Sequence, residues 1–431
     1  MDKEKLKREI GVGALSLAII NMTIGTGIFV IPAIIAENLG AAAIVAYLVC
    51  GALMFLIALC FAEVGSKVTT SGGTYAYIET AFGPYAGFIA NNLFLFGSSI
   101  LSDAAVANGL ADTLKYFFPS LGTELYRILF FVFLFGILAL INIRSVKNGM
   151  RFIELATFVK LIPLLFLIFV GTQYISSENL TWSIVPNVSN IGSASLLLIF
   201  AFLGIEVPMS NSGEIKNAKR TIPLGILFGI SAVLIIYIAI QVVSQGVLGA
   251  TLVTHKDAPL GAVAEIIMGK SGIVLMIIAI AVSMIGCLSG AIFSNPRVLY
   301  AGANDGIMPK VFGKVHDRFF TPHIAILFYA AMGLLFASLG GFKQLAIISG
   351  AATLLIYLGV VLATIKLRNK NSLTSEKTFK IPGGIIVPIL AIVVIVWLLS
   401  NLSKQEIIGI SIFIVILSLI YYAIKIIKKN H

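Results

Sequence analysis

Long apolar stretches, separated by short polar segments, make up most of the 431-residue chain. A membrane-spanning helix needs roughly 20 apolar residues, and about twelve stretches reach that length. The pattern therefore predicts an all-α membrane protein with about twelve transmembrane helices. The predicted spans lie near residues 12–36, 40–66, 84–114, 126–143, 152–172, 191–212, 223–248, 271–303, 322–340, 344–366, 383–401 and 406–425.

Two of these predicted spans are interrupted at glycines. Gly25-Thr26-Gly27 divides the first span, and a second break around Gly204 divides residues 191–212. Every backbone N–H and C=O inside hydrocarbon needs an internal partner, so an unwound segment is tolerated only beside a polar cavity. Paired interrupted helices in corresponding positions are typical of the midplane binding site of a secondary transporter. We therefore expect helices 1 and 6 to be discontinuous.

The interruptions also predict how the chain is organised. Residues 12–172 hold five predicted spans, residues 191–366 hold five more, and residues 383–425 hold two appended spans. Because five is an odd number, the second group enters the membrane from the opposite face, which predicts a 5+5 inverted repeat. Residues 1–431 are expected to form a single integral membrane domain, in which residues 249–270 are one of the longer outer loops.

Composition and charge placement agree with a membrane protein. The chain is 59% hydrophobic and 11% charged, whereas roughly a quarter of the residues in a soluble domain are charged. The net charge of +11 does not indicate nucleic acid, because most basic residues fall on one predicted side of the membrane. By the positive-inside rule that side is cytoplasmic and holds both termini. The few basic residues predicted on the outer side are Lys115, Arg127, Lys256, Lys270, Lys343 and Lys404.

The cysteines and histidines form no pattern typical of a metal site or a catalytic nucleophile. The three cysteines lie inside predicted spans, and the four histidines are scattered in loops and at the C-terminus. We therefore expect no disulfide, no metal, no cofactor and no enzymatic activity. These residues are Cys50, Cys60, Cys287, His255, His316, His323 and His431.

The first interruption offers backbone groups that suit a small zwitterion. Unwinding would free the N–H groups of Gly25, Thr26 and Gly27 at the positive end of a helix, which suits a carboxylate. The carbonyls of Met22 and Thr23 would suit an ammonium. The alternative is that the two glycines only allow close helix packing, with Thr26 as an interhelical hydrogen bond. The matched second interruption favours a binding site.

The second interruption is predicted to complete the same site. Unwinding at Gly204 would free carbonyls near Phe200 and Leu203 for the same ammonium. The rings of Phe200 and Phe202 are expected to gate the site from outside, although packing against lipid is the alternative. Glu206 follows the break, where it could couple protons or stabilise a gate. Its alternative role is to cap exposed backbone N–H groups.

Two charged residues lie inside predicted spans. An ammonium at the bilayer centre costs about 2.5–3.5 kcal/mol on insertion scales, so Lys160 is a functional candidate. It could carry a proton or act as a fixed positive charge. Asp103 could attract the substrate ammonium, or it could pair with Lys160 and neutralise both charges. Ser289 and Ser349 are weaker candidates for lining the site.

A set of short motifs carries a family resemblance. Gly25-Thr26-Gly27-Ile28-Phe29 resembles the G-S/T-G-I/V-F signature of the amino acid–polyamine–organocation (APC) superfamily of permeases. Further segments resemble the family in the same order along the chain: Ser71-Gly72-Gly73-Thr74-Tyr75, Phe202-Leu203-Gly204-Ile205-Glu206, Asn295-Pro296-Arg297 and Thr321-Pro322. The chain departs from the family at Thr69 and Ala218, where members usually carry proline.

The resemblance implies a LeuT-type fold and a secondary active transporter that moves free amino acids across the cell membrane by alternating access. Lys160 resembles the helix 5 lysine that sodium-independent members hold where sodium-coupled relatives bind a cation. The implied partners are therefore an amino acid, protons and membrane lipids. Association of two copies into a homodimer is a further possibility. An amino acid or polyamine exchanger is the alternative function. A channel-like protein or a receptor without transport, built on the same scaffold, is a third hypothesis.

Overall fold

The computed structural model describes residues 10–68, 73–144, 160–182, 185–205, 215–304, 308–368 and 379–429. Regular secondary structure within these ranges is helical, apart from an isolated parallel bridge between Ile10 and Ile215. The prediction of an all-α membrane protein is therefore confirmed at the level of fold class.

Seventeen α-helices follow one another through the described ranges. They are α1 (Val12–Thr23), α2 (Gly27–Leu39), α3 (Ile44–Lys67), α4 (Gly73–Phe82), α5 (Pro84–Asn92), α6 (Ile100–Leu114), α7 (Glu124–Arg144), α8 (Lys160–Tyr174, ending in a 3₁₀ turn), α9 (Val188–Ile199), α10 (Ala218–Leu248), α11 (Pro259–Met268), α12 (Lys270–Ser294), α13 (Pro296–Asn304), α14 (His323–Leu339), α15 (Phe342–Arg368), α16 (Ile386–Leu399) and α17 (Lys404–Lys429). A π-helical segment, Leu93–Ser99, joins α5 to α6 without a break.

Many of these helices are apolar and long enough to cross a membrane. Seven helical runs in the described ranges meet both conditions: Gly27–Lys67, Pro84–Leu114, Glu124–Arg144, Arg220–Thr254, Lys270–Ala303, Phe342–Arg368 and Lys404–Ile426. The chain is thus a multi-pass membrane protein. Helix is also present within each of the other predicted spans. The count of about twelve crossings and the inverted repeat stay predictions.

One expectation about the loops needs correction. Residues 249–270 were expected to be an outer loop, but they hold a 3₁₀ segment followed by α11. Helix α11 has 10 residues, which is too short to cross a bilayer. Its residues Leu260 and Val263 are fully buried, because the helix packs its apolar side against α12. A run this short has no periodic signal that separates it from an apolar loop.

The first span is interrupted where the sequence predicts. Helix α1 ends at Thr23 and α2 begins at Gly27, with residues 24–26 irregular between them. In the second predicted break, α9 ends at Ile199 and a 3₁₀ turn follows to Phe202. Gly204 then has φ = +105°, a conformation that side chains rarely tolerate.

Helix α10 holds α1 in place through close backbone contact. A side chain at Gly225 would come within 2.6 Å of Leu15, and one at Gly229 within 2.8 Å of Ile19. Both partners on α1 are buried. Small residues at such contacts let helices approach closely where lipid supplies no hydrophobic driving force. The contact brings the interrupted end of α1 beside the middle of α10.

A buried carboxylate ties the end of α3 to two other segments. Glu63 is 1% exposed. Its oxygens accept hydrogen bonds from Arg368 Nε at 2.7 Å and Nη2 at 2.5 Å, and from the Ile381 amide at 3.0 Å. The ammonium of Lys67 lies 3.3 Å away. The cluster joins α3, α15 and the segment that leads into α16.

Candidate functional site

The two interruptions meet in space. A Cβ added at Gly27 would lie 2.7 Å from both Cα and Cβ of Ala201. A Cβ added at Gly204 would lie 2.6 Å from the carbonyl oxygen of Met22. Both glycines are therefore required where the broken segments of the two helices touch. The sequence predicted both breaks but not this direct contact between them.

Tyr237 of α10 stands between the two interruptions. Its hydroxyl oxygen lies 2.8 Å from the carbonyl oxygen of Thr23 and 2.7 Å from that of Ala201. A phenol has one proton, so it donates to one carbonyl at a time. The ring is 0% exposed and packs edge-on against Phe202, with 5.2 Å between ring centroids. Sequence analysis missed Tyr237, because a single tyrosine in an apolar span gives no local signal.

The hydrogen bonds at the breaks correct part of the expected pattern. The Gly25 amide is not free, because it donates to the Thr23 carbonyl at 2.8 Å. The carbonyls of Thr23 and Phe200 are also used, the latter by the Leu203 amide at 3.3 Å. Tight turns at both breaks satisfy these groups locally. In the described ranges no backbone carbonyl accepts from the amide of Thr26 or of the next residue, Gly27.

Three buried polar side-chain atoms at the first interruption, Asn21 Oδ1, Thr23 Oγ1 and Thr26 Oγ1, have no hydrogen-bond partner among the described residues. The same is true of Ser283 Oγ on α12. Buried polar groups are nearly always paired, so a group of orphans indicates a place where water or a ligand binds.

Helices α6 and α12 flank the first interruption. A Cβ at Gly109 of α6 would lie 3.2 Å from the Thr26 methyl group. On the other side, the sulfur of Cys287 in α12 lies 3.9 Å from the Cβ position of Gly25. Ser289 also belongs to α12 and is 1% exposed. The break thus has α6 on one side and α12 on the other.

Phe200 and Phe202 pack against aromatic partners from other helices. The Phe200 ring meets Phe342 of α15 edge-on at 5.5 Å between centroids. Phe342 also lies 3.4 Å from the Cβ position of Gly109, so this ring pair sits close to the first interruption. Leu203 is only partly buried. Phe342 was not predicted, because it begins a helix and follows two glycines that read as a turn.

Lys160 contacts the chain just before the first interruption. Its side chain is 5% exposed, and its ammonium donates a hydrogen bond to the carbonyl oxygen of Asn21. No carboxylate oxygen in the described ranges lies within 4.0 Å of this ammonium. The contact links α8 to the last turn of α1.

Asp103 belongs to a separate hydrogen-bond chain, so its predicted alternative pairing with Lys160 is wrong. The Tyr329 hydroxyl donates to Asp103 Oδ2 at 2.7 Å, and Asn295 Nδ2 donates to that hydroxyl at 2.7 Å. Asp103 is 6% exposed. The chain joins α6, α14 and the end of α12. Tyr329 is thus the donor to the carboxylate, and Asn295 in turn bonds to the tyrosine hydroxyl.

Two predicted site residues remain, Ser349 and Glu206. The Ser349 hydroxyl donates to the Ser98 carbonyl at 2.9 Å, within the π-helical segment. A π-helical turn leaves carbonyls without their usual helical donors, so Ser349 bonds to the neighbouring helix. Glu206 lies outside the described residues.

The sequence is similar to known transporters over nearly its whole length. The sequence model of the amino acid permease family matches residues 10–421. The chain is 27% identical to the branched-chain amino acid permease BcaP of Bacillus subtilis, over 97% of this chain and 93% of the relative. It is 29% identical to the serine/threonine exchanger SteT of the same organism, over 97% of each chain. It is 24% identical to the methylthioribose transporter of that organism, over 97% of this chain and 94% of the relative.

These relatives are transporters rather than enzymes, and their similarity extends over nearly the full chain. Since the family model covers almost every residue, including both interruptions, the chain belongs to the amino acid permeases of the APC superfamily.

Proposed function

We propose that the protein is a secondary active transporter that moves free amino acids across the cell membrane by alternating access. Two of the relatives, BcaP and SteT, are named for amino acid permeation or exchange. The coupling we propose is to protons and is independent of sodium.

The observation that carries the proposal is the contact between the two interruptions. The unbonded amides of Thr26 and Gly27 stand at the N-terminal end of α2, where a carboxylate is stabilised. The orphan hydroxyls of Thr23 and Thr26 are buried beside them. Carbonyls released by the breaks, with that of Met22 as the candidate on α1, would accept hydrogen bonds from the ammonium. A zwitterion needs both kinds of partner in one small space.

The architecture we propose is the LeuT-type fold. In it, residues 12–172 and 191–366 form the two inverted repeats, and residues 383–425 form two appended helices. About twelve helices would span the bilayer, with both termini cytoplasmic. Repeats of this kind transport by rocking one bundle against the other around a fixed site. The break at residues 24–26 and the positive φ at Gly204 are the features expected at such a site.

Lys160 is the proposed coupling residue, with Glu206 as a second candidate. The Lys160 ammonium donates to the Asn21 carbonyl, so its charge state can influence the end of α1. When the ammonium releases a proton, it keeps two N–H groups but loses its charge. Because charged hydrogen bonds are roughly twice as strong as neutral ones, deprotonation would weaken the contact between Lys160 and the Asn21 carbonyl. A fixed positive charge in place of sodium remains the alternative role.

Uptake into proteoliposomes tests the proposal. A panel of labelled amino acids is offered with an inward proton gradient, an inward sodium gradient, or neither. We expect at least one amino acid to accumulate only with the proton gradient, and Lys160→Ala to abolish that accumulation while the protein stays folded. Lys270→Ala, an exposed lysine at the start of α12, is the matched control. Accumulation that requires sodium, or that survives Lys160→Ala, would refute the coupling.

Exchange is the second candidate function, and it is supported by the similarity to the exchanger SteT. An exchanger accelerates uptake when unlabelled substrate is present inside, and it accumulates nothing in empty vesicles. Polyamine exchange has less support, because Asp103 is already bonded to Tyr329. Competition by putrescine and by leucine against the transported amino acid separates these possibilities.

A further inference from the structure

A cavity of about 270 Å³ lies between α4, α5 and the last turns of α17. It is far in sequence from both interruptions, and none of the residues proposed above to bind substrate lines it. Its walls include Glu79, Phe88, Asn91, Tyr421 and Lys425. The volume holds several water molecules, so a small polar group fits inside.

Two opposite charges line this cavity without touching. No ammonium or guanidinium in the described ranges lies within 4.0 Å of a Glu79 oxygen, and no carboxylate within 4.0 Å of Lys425 Nζ. Both side chains are exposed. The stem of Glu79 is held against α5, because a Cβ at Gly87 would lie 2.7 Å from the Glu79 Cβ. A ligand with both a positive and a negative group would complement the separated pair.

Phe88 and Tyr421 contribute aromatic rings to the wall of the cavity. Tyr421 meets Phe88 at 5.3 Å and Tyr85 at 5.2 Å between ring centroids. The Tyr85 hydroxyl is hydrogen-bonded to Ser418 at 2.8 Å, which holds α17 against α5. Aromatic faces attract cations, and tyrosine is enriched at the level of lipid headgroups.

The helix that bears Lys425 presents an apolar surface along its length. In the most apolar part of α17 only 6% of the residues are buried. Two of its exposed side chains, Ile420 and Ile416, lie one turn and two turns before the cavity-lining Ile424 on the same side of the helix. The cavity therefore lies at the end of an apolar helix face, where the acyl chains of a membrane lipid can extend along the protein.

We propose that this cavity binds the headgroup of an aminophospholipid such as phosphatidylethanolamine. Lys425 and the amide group of Asn91 bind the phosphate, while Glu79 and the ring of Tyr421 bind the primary ammonium. The acyl chains follow α17. The soluble headgroup carries the same two charges, but it has no acyl chains to pack on the apolar face of α17. We therefore propose the membrane lipid as the ligand.

Native mass spectrometry of the purified full chain tests the site. The protein is titrated with phosphatidylethanolamine, with phosphatidylglycerol, which lacks the ammonium, and with water-soluble glycerophosphoethanolamine. We expect one phosphatidylethanolamine to bind about threefold more tightly than phosphatidylglycerol, which corresponds to a single exposed ion pair. The soluble headgroup should bind at least tenfold more weakly than the lipid.

Two variants give different expected results. Glu79→Gln should remove the preference for phosphatidylethanolamine over phosphatidylglycerol, because only the cation remains. Lys425→Gln should weaken binding of both lipids. Glu265→Gln and Lys404→Gln, exposed residues outside the cavity, should change neither affinity. Equal affinities in the unaltered protein, or a preference that survives Glu79→Gln, would overturn the proposal. Tight binding of the soluble headgroup would overturn the choice of a lipid.

Discussion

Replacing Tyr237 by phenylalanine removes one oxygen atom from the point where the two interruptions meet. The ring and its contact with Phe202 remain, so the change leaves no large cavity. The hydroxyl oxygen lies 2.8 Å from the Thr23 carbonyl oxygen and 2.7 Å from that of Ala201. The variant therefore isolates the polar connection between α1 and the segment that follows α9.

The magnitude follows from the partners that remain. The Thr23 carbonyl keeps the Gly25 amide as a donor, but the Ala201 carbonyl has no other donor among the described residues. Hydrogen bonds between membrane helices contribute about 0.6 kcal/mol on average and about 1.7 kcal/mol at most. A buried acceptor without a partner costs about 1–3 kcal/mol. We expect Tyr237→Phe to destabilise the contact by about 1–2 kcal/mol, a factor of about 5–30 in population.

Two measurements check this expectation. Thermal unfolding in detergent should show a lower midpoint for Tyr237→Phe, and counterflow of the transported amino acid should be slower. Tyr47→Phe is the matched control, because Tyr47 is equally buried and its hydroxyl donates only to the Gln241 side chain at 3.1 Å. The reasoning is refuted if Tyr237→Phe matches the unaltered protein, or if Tyr47→Phe has the same effect on counterflow.

Three further substitutions test other contacts. Gly27→Ala should lower the yield of folded protein or its unfolding midpoint, because the added Cβ would lie 2.7 Å from Ala201. Gly25→Ala is the control and should match the unaltered protein in both measurements, because no atom lies closer than 3.9 Å to its added Cβ. Glu63→Gln should cost about 1–3 kcal/mol in unfolding free energy, since a buried carboxylate that accepts from Arg368 and the Ile381 amide becomes a neutral amide; the added change Arg368→Gln should recover part of that loss. Asp103→Asn should leave the unfolding midpoint within a few degrees, because asparagine can still accept a hydrogen bond, and a large drop would show that the charge itself is needed.

The sequence alone determined the class of the protein, the break at residues 24–26 and the end of regular helix before Gly204. Continuous apolar stretches of roughly 20 residues cross a membrane as helices, because a helix satisfies all of its backbone groups within one segment. Glycine at positions 25, 27 and 204 marked the exceptions. Lys160 was recognised for the related reason that a charge in hydrocarbon is costly. These are local properties, which can be read without knowing the neighbours.

Only the tertiary structure decided which groups meet. Tyr237 lies more than 200 residues from Thr23, to whose carbonyl it donates, and nothing near either residue indicates the contact. Asp103 was expected to attract the substrate ammonium or to pair with Lys160, and the structure replaces the second alternative by a hydrogen bond from Tyr329. Partner choice depends on helix rotation and register, which result from packing over many side chains at once. Local sequence therefore predicts that a polar group needs a partner, whereas the folded arrangement determines which partner it has.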